Sequence, residues 1–252
     1  MVAEIAIAAR ASLRPLYADL PGLHGCLDAA LEGGMGTVRV DNPADPSVAH
    51  IHLEFHLLAG DPGRPEADEI VRGISPPAAM VLADPAWEPL IRRAWGDALH
   101  TRTRRAFRAG AWDKASLQTR ATTLPNGFRL KRITAQNAER FAELNEAYVY
   151  NFPSLEHYID NGVGYGVEHD GRFVSGCSSF AISPFSLEFE IETHPDFRRR
   201  GLAFAAAARM IEHCLDTNLK PCWDAHNDMS AALAAKLGFV DPSPYTAYEI
   251  RV

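Results

Sequence analysis

Between Ser186 and Ala203 the sequence commits the chain to a strand, a tight basic loop and a helix, in that order. Leu187, Phe189 and Ile191 alternate with Glu188, Glu190 and Glu192, the period of two that gives a strand one apolar and one acidic face. Pro195 has no N–H to give to a ladder and stops the strand. Phe204, Ala208, Ile211 and Leu215 then recur at helical spacing, which predicts a helix from about Arg200 to Thr217. Arg198, Arg199 and Arg200 crowd its N-terminus, where partial positive charge and unpaired N–H groups already disfavour cations. An anion resolves the conflict. Phosphate groups accept hydrogen bonds from the N–H groups around Arg200 to Ala203 and neutralise the arginines, while Gly201 lets the backbone come close. The same letters, Arg-x-x-Gly-x-Ala, recur from Arg93 to Ala98, but there Gly96 ends a predicted helix and reads as its C′ glycine. Context distinguishes the two copies.

The rest of the chain divides at Thr122-Thr123-Leu124-Pro125-Asn126-Gly127, where a Pro and an Asn-Gly turn precede a fresh strand signal. Residues 1–122 are expected to form one domain and 123–252 a second. In the first, Ile5, Ala9, Leu13, Leu16 and Leu20 predict an amphipathic helix, and Thr37–Asp41 and Ala49–Leu57 predict strands. Asp84-Pro85 opens a helix, and Thr101–Arg105 reads as a strand. In the second, Phe128–Arg132 is a strand and Ala135–Tyr148 a helix. Val163–His169 and Phe173–Ile182 make a hairpin turned by Asp170-Gly171, a pair that accepts positive φ. Cys222–Ala225 is a short strand, Asn227 or Asp228 caps a helix that Gly238 ends, and Tyr245–Ile250 closes the chain.

Composition narrows the function. With 25 cations against 32 anions the net charge is −7, which opposes a nucleic-acid surface, because phosphate binding needs clustered Lys and Arg. The run from Arg92 to Arg108 is the local exception and reads as a solvated face. No stretch approaches the roughly 20 apolar residues of a membrane span. Glu4 and Arg10 interrupt what a signal peptide would need as its apolar core. Cys26, Cys177, Cys214 and Cys222 lie far apart without Cys-x-x-Cys spacing, so no zinc site or disulfide framework is expected. A cytoplasmic protein, monomer or homodimer, is the expectation.

Arg198-Arg199-Arg200-Gly201-Leu202-Ala203 resembles the acyl-CoA pyrophosphate loop of the GNAT (GCN5-related) N-acetyltransferases, Gln/Arg-x-x-Gly-x-Gly/Ala between a strand and a helix. Asn227 followed by Leu233, Lys236, Leu237, Gly238 and Phe239 is similar to the stretch after that family's fifth strand. With the upstream half included, the chain resembles the zwittermicin-resistance type of GNAT protein. The resemblance implies an α/β (α+β) fold: a mixed, mostly antiparallel sheet flanked by helices in the C-terminal half, preceded by a smaller degenerate α/β domain without a phosphate loop. It implies acetyl-CoA as cosubstrate and no metal. Pantetheine would run along Glu188–Thr193 where that strand splays from Cys222–Ala225. Cofactor contacts would come from Ile191, Thr193, Arg198, Arg199, Arg200, Gly201, Leu202, Ala203, Phe204, Asn227 and Ser230.

The acidic face of that strand carries the expected chemistry. A row of Glu188, Glu190 and Glu192 repels itself, and any desolvation raises carboxylate pKa further, favouring a proton acceptor near neutral pH. Glu190 and Glu192 are the candidate general bases, acting directly or through water on the amine of a small molecule, with a backbone N–H near Ile191 for the oxyanion. Trp223, Asp224 and His226 are candidates to contact the acceptor, although Trp223 reads equally as core. Many relatives carry a Tyr where this chain has Ala234. The acid that protonates the thiolate is therefore absent or moved to Ser230, Tyr245, Tyr248 or His226. His50, His52, Glu54 and His56 share one face of the predicted strand, but collinear side chains do not easily surround an ion without partners from elsewhere, and they read as a polar face lining a cleft or facing solvent. The readings that remain beside a small-molecule acetyltransferase are a non-catalytic acyl-CoA sensor and a protein lysine acetyltransferase.

Overall fold

The computed structural model describes residues 2–251, apart from the side chain of Arg120, so Met1 and Val252, the outer limits of the two expected domains, lie outside it. The first half supplies β1 (Ala3–Glu4), α1 (Ile7–Arg10), α2 (His24–Leu31), β2 (Thr37–Val40), β3 (Val48–His52), β4 (Phe55–Gly60) and α3 (Pro65–Gly73). It continues with β5 (Ala78–Leu82), α4 (Glu88–Trp95), β6 (Leu99–Arg108) and α5 (Lys114–Thr122). The second half supplies β7 (Phe128–Arg132), α6 (Ala138–Ala142), α7 (Leu155–Asn161), β8 (Gly164–His169), β9 (Arg172–Ile182) and β10 (Ser186–Thr193). Then come α8 (Leu202–Asp216), β11 (Lys220–Ala225), α9 (Asp228–Leu237) and β12 (Val240–Ile250).

These strands make one twelve-stranded sheet in the order β1-β2-β3-β4-β5-β12-β6-β11-β10-β9-β8-β7. Only β4 with β5 and β10 with β11 pair in parallel, so the fold is the mixed, mostly antiparallel α/β architecture expected. The last strand does not stay with its own half. β12 lies between β5 and β6, with Tyr248 opposite both Met80 and Thr101. β6 in turn pairs with β11 through Phe107 to Arg105 against Trp223 to Ala225.

The feature that makes a site is a short pairing. β10 and β11 are in register only from Ser186–Glu188 against Lys220–Cys222; beyond Glu188 the strands diverge and β11 continues against β6 alone. A bulge between Glu188 and Phe189 on the β9 side helps to turn β10 away. The apolar faces of β10 and α8 close one core with Leu187, Leu202, Ala206 and Ile211. A second core joins the halves, since Leu27 and Ala30 of α2 share it with Phe141 and Phe180. A third lies under α3 and α4, against Tyr248 and Ile250 of β12.

Several local expectations are corrected. Ala49–Leu57 is not one strand but the hairpin β3–β4, turned at Leu53 and Glu54, where the Leu53 N–H donates to the Phe55 carbonyl at 3.0 Å. His52 and His56 therefore face each other across two strands. The expected N-terminal helix shortens to α1 and a 3₁₀ segment, Ala11–Tyr17, that contains Pro15. Arg10 is buried there and donates to the carbonyls of Ala30, Met35 and Gly36, so the apparent polar interruption is a core contact. Ala135–Tyr148 breaks into α6 and a separate turn because the Asn145 side chain accepts from the Ala147 N–H and caps a new start. The helix α2, missed in the sequence, has seven of its eight residues buried and thus no amphipathic period to read.

Candidate active site

Where β10 leaves β11, a cavity of about 950 Å³ opens. It brings together the candidate catalytic, cofactor and acceptor residues apart from Arg200: Glu190 to Thr193 from β10, Arg198, Arg199 and Gly201 to Phe204, and Trp223, Asp224, His226, Asn227 and Ser230 from the β11–α9 side. Another wall comes from the first half. Glu54 and Phe55 of the β3–β4 hairpin and Arg102 and Arg104 of β6 line the same cavity, so the first half closes the cleft.

At the basic loop, Gly201 is the N-cap of α8 at φ 79°, and Arg199 also has positive φ, 62°. No side chain caps this helix. A Cβ built on Gly201 would meet no atom within 4 Å, which leaves open space directly above the N-terminal turn of a 15-residue helix. An anion fits there: the helix end offers N–H donors and partial positive charge, and Arg199 and Arg200 are exposed beside it. Arg198 is already engaged, bonded to the Thr193 carbonyl at 3.0 Å and to Glu192 at 3.1 Å. These residues suit a diphosphate with the rest of an extended ligand lying along the cleft.

The three acidic residues of β10 fall into three environments. Glu188 is buried, accepts from the Gly25 N–H at the start of α2 at 3.1 Å, and has its other oxygen unpaired; burial, with Asp224 nearby, pushes its pKa up to about 8. Glu190 accepts one hydrogen bond from the Asn145 amide at 3.2 Å. Its pKa is pushed up to about 7, first by desolvation and then by the charges of Glu54 and Glu192. Glu192 instead accepts from the Thr193 N–H at 2.9 Å and holds Arg198, tying the strand end to the basic loop.

Backbone direction follows from the same strand. The N–H of Glu192 donates to the Tyr148 hydroxyl at 3.1 Å and that of His194 to the Val174 carbonyl at 2.9 Å, both on the β9 side. Successive residues of a strand alternate, so the Ile191 N–H points into the gap toward β11.

Across the gap, Asp224 is fully occupied. It pairs with Arg104 at 2.6 Å and accepts from the Tyr245 hydroxyl at 2.7 Å and the Leu23 N–H at 3.1 Å. Trp223 is buried among Phe189 and Phe239, and its indole N–H donates to the Ser230 hydroxyl at 3.1 Å. Asn227 caps α9 through the Ser230 N–H, and its amide meets His226 at 2.8 Å. Burial and the charges of Arg104 and Arg102 lower the His226 pKa.

Of the alternative acids, Tyr245 spends its hydroxyl on Asp224. Tyr248 donates to Glu88 at 2.8 Å, in the core under α3 and α4, away from the cleft. Only Ser230 and His226 among them line the cavity.

Sequence reasoning missed Arg104, Asn145 and Tyr148, and it named Glu54 only as part of a polar strand face. The Arg92–Arg108 run is not wholly a solvated face: Arg102 and Arg104, two apart on a strand, share the side that faces the cleft. The Thr-Arg-Thr-Arg alternation carried that signal. Asn145 and Tyr148 sat inside a segment read as continuous helix, and nothing local announced them. Among the described residues no group of three or more His, Cys, Asp or Glu side chains is placed to hold a metal ion, and no helix is long and apolar enough to cross a membrane.

A family model described as GNAT acetyltransferase matches residues 24–248, spanning both halves of the sheet and the cleft between them. The chain belongs to the GNAT acetyltransferase family, whose members transfer acetyl groups from acetyl-CoA. It is 29% identical over 225 residues to an uncharacterized N-acetyltransferase of Bacillus subtilis, covering 84% of this chain and 85% of that protein. A crystal structure of a GCN5-related N-acetyltransferase-like protein from Streptococcus suis is similar at 34% identity and TM-score 0.85, covering 98% of this chain and all (100%) of that one. A GCN5-related N-acetyltransferase from Kribbella flavida shares the fold at TM-score 0.58 and 15% identity, over 81% of this chain and 86% of that one.

Proposed function

We propose that this protein moves the acetyl group of acetyl-CoA to the amine of a small molecule by direct attack within a ternary complex. The observation that carries the reading is Glu190: a recessed carboxylate with a pKa near 7, beside the gap between β10 and β11, within the cleft that also holds the basic loop. A base of that strength accepts a proton near neutral pH without being permanently occupied by one.

The CoA diphosphate would sit on the N-terminus of α8, contacting Arg199 to Ala203, with pantetheine along β10. As the amine nitrogen attacks the thioester carbonyl carbon, Glu190 takes its proton, directly or through water, and the Ile191 N–H donates to the developing oxyanion. Collapse breaks the C–S bond and releases the CoA thiolate. That thiolate is weakly basic, and Ser230 is the cleft hydroxyl on the α9 side available to it. Glu192, bonded to Arg198 and the Thr193 N–H, holds the loop rather than the proton. Asp224, with its oxygens occupied, positions Arg104 and α2 rather than the acceptor. The first half acts as a companion that walls the acceptor side, an arrangement consistent with the zwittermicin-resistance type of GNAT protein.

The test is thiol release from acetyl-CoA over a panel of small amines, with Glu190→Gln and Glu192→Gln compared. Glu190→Gln should lower kcat/KM by about 10²–10⁴-fold with CoA affinity retained, whereas Glu192→Gln should lose far less. The wild-type profile should rise with pH through about 7, where Glu190 deprotonates. Full activity in Glu190→Gln would remove the base. Binding of CoA without turnover of any amine or lysine peptide would favour a sensor.

A further inference from the structure

A second cavity, of about 910 Å³, adjoins the cleft and shares Glu54, Phe55, Ala79, Ala147 and Glu249 as a common wall. No candidate cosubstrate residue lines it. Its floor is the β3–β4 hairpin, where the rings of His52 and His56 stack 4.2 Å apart and 7° from parallel, and His50 lies edge to edge with His56, the ring centres 5.1 Å apart and the planes within 15°.

The ledge is uncharged near neutral pH. His50 Nε2 lies 2.9 Å from His56 Nδ1, so the two rings share one proton in that bond. Burial and the neighbouring imidazoles push the pKa of His50 down to about 3, and burial with His52 pushes that of His56 down to about 4. The ledge therefore repels no cation, and His52, exposed above the buried His50 and His56, is the ring it offers to the cavity.

The remaining charged lining is acidic in balance. Glu54, Glu69, Glu146 and Glu249 stand against Arg39 and Arg251, and Glu249 is already bonded to Arg102 and Arg251. Glu54 is open to water within the concave wall, and its own recess raises its pKa. It also adds to the charge that raises the pKa of Glu190, so the two carboxylates lie close enough to repel. Arg104, paired with Asp224, already offsets part of this repulsion, yet both carboxylates keep raised pKa values; a further positive charge at the shared wall would relieve both, whereas an anionic acceptor would meet repulsion from either carboxylate.

We propose that this second cavity is the acceptor pocket and that it takes an amine bearing a further positive charge. The reacting nitrogen lies at the shared wall between Glu54 and Glu190, and the second charge lies beyond it over the His52–His56 ledge. The inference rests on the acetyl-transfer reading of the cleft, and it assigns Glu54 and His52 to acceptor recognition on a part of the chain remote in sequence from the basic loop.

The probes are 1,4-diaminobutane and 1,6-diaminohexane against n-butylamine and n-hexylamine. Each is titrated calorimetrically into the protein, free and CoA-saturated, and each is assayed for turnover with acetyl-CoA. Both diamines should bind and react at least about tenfold better than the monoamine of equal length. Glu54→Gln should raise the diamine KM by about tenfold with a much smaller fall in kcat, and the exposed His52→Ala should reduce the same preference; CoA affinity and melting temperature should stay unchanged in both. Equal binding of diamines and monoamines, or an undiminished preference in both variants, would overturn the pocket while leaving acetyl transfer standing. Loss of CoA binding in the wild-type protein would instead defeat the reading of the cleft. Because calorimetry needs no chemistry, the preference is measured in every case.

Discussion

Glu190 and Glu192 stand two residues apart on one face of one strand, and their neighbours send them to different tasks. Glu190 has a single amide donor, Asn145, and carboxylates nearby; Glu192 has a backbone N–H and an arginine. The Asn145 bond favours the ionised form of Glu190, so Asn145→Ala should move the acidic limb of kcat/KM to higher pH, and a pH profile of the variant checks it. The same raised pKa bears on stability. A carboxylate that binds its proton more tightly in the fold than in the unfolded chain contributes stability below its unfolded pKa and loses it as pH rises through about 7. The permanently neutral Glu190→Gln should thus melt higher than wild type at pH 8, by on the order of 1–3 kcal/mol, and nearly level with it at pH 4. A variant that is less active and more stable at alkaline pH is the signature of a strained catalytic group.

At the scale of elements, the decisive junction is the one between β10 and α8. Gly201 takes a left-handed conformation, and above it is open space rather than protein. Gly201→Val would strain the backbone by about 1–2 kcal/mol and fill the space a diphosphate needs. We expect CoA affinity to fall at least about tenfold, while melting shifts by only a few degrees. Calorimetric titration beside thermal unfolding separates these effects, and an unchanged affinity would remove the diphosphate from this site. On the other wall, the N-terminus of α2 plays a quieter part. Its Leu23 and Gly25 N–H groups hold Asp224 and Glu188, linking the first half to both strands at the point of divergence.

For the whole molecule, the position of β12 makes the halves interdependent. The chain segment 123–252 carries β12 away from its hydrogen-bonding partners β5 and β6, and β11 away from β6. Expressed alone, that segment exposes strand edges and the buried side chains of Ala247, Tyr248 and Ile250. It should aggregate or stay unfolded, whereas co-expression with residues 1–122 should restore a soluble complex; gel filtration and circular dichroism check both. The basic loop occurs in a strand-to-helix setting only once, so CoA should titrate to one site per chain, and a second equivalent site would contradict the role proposed for the first half.

What the sequence determined by itself was local. The alternation of Glu188 to Ile191, the stop at Pro195, and the arginines and Gly201 before an apolar helix follow from neighbours a few residues apart, and the structure keeps each of them. The Asp170-Gly171 turn and the Asn227 cap were legible for the same reason. Tertiary structure decided what depends on residues far apart in the chain. Glu190 and Glu192 are indistinguishable as letters, and only Asn145, Glu54 and Arg198 separate them. Arg104 looked like one of many surface arginines until β6 paired with β11 and set it against Asp224. His50, His52, Glu54 and His56 looked collinear until a turn at Leu53 and Glu54 brought His56 back against His50 and His52. Spacing along a chain records which way a side chain points from its own element, but burial, charge and hydrogen bonding at a site come from the elements opposite, and those are chosen by the order in which the sheet assembles.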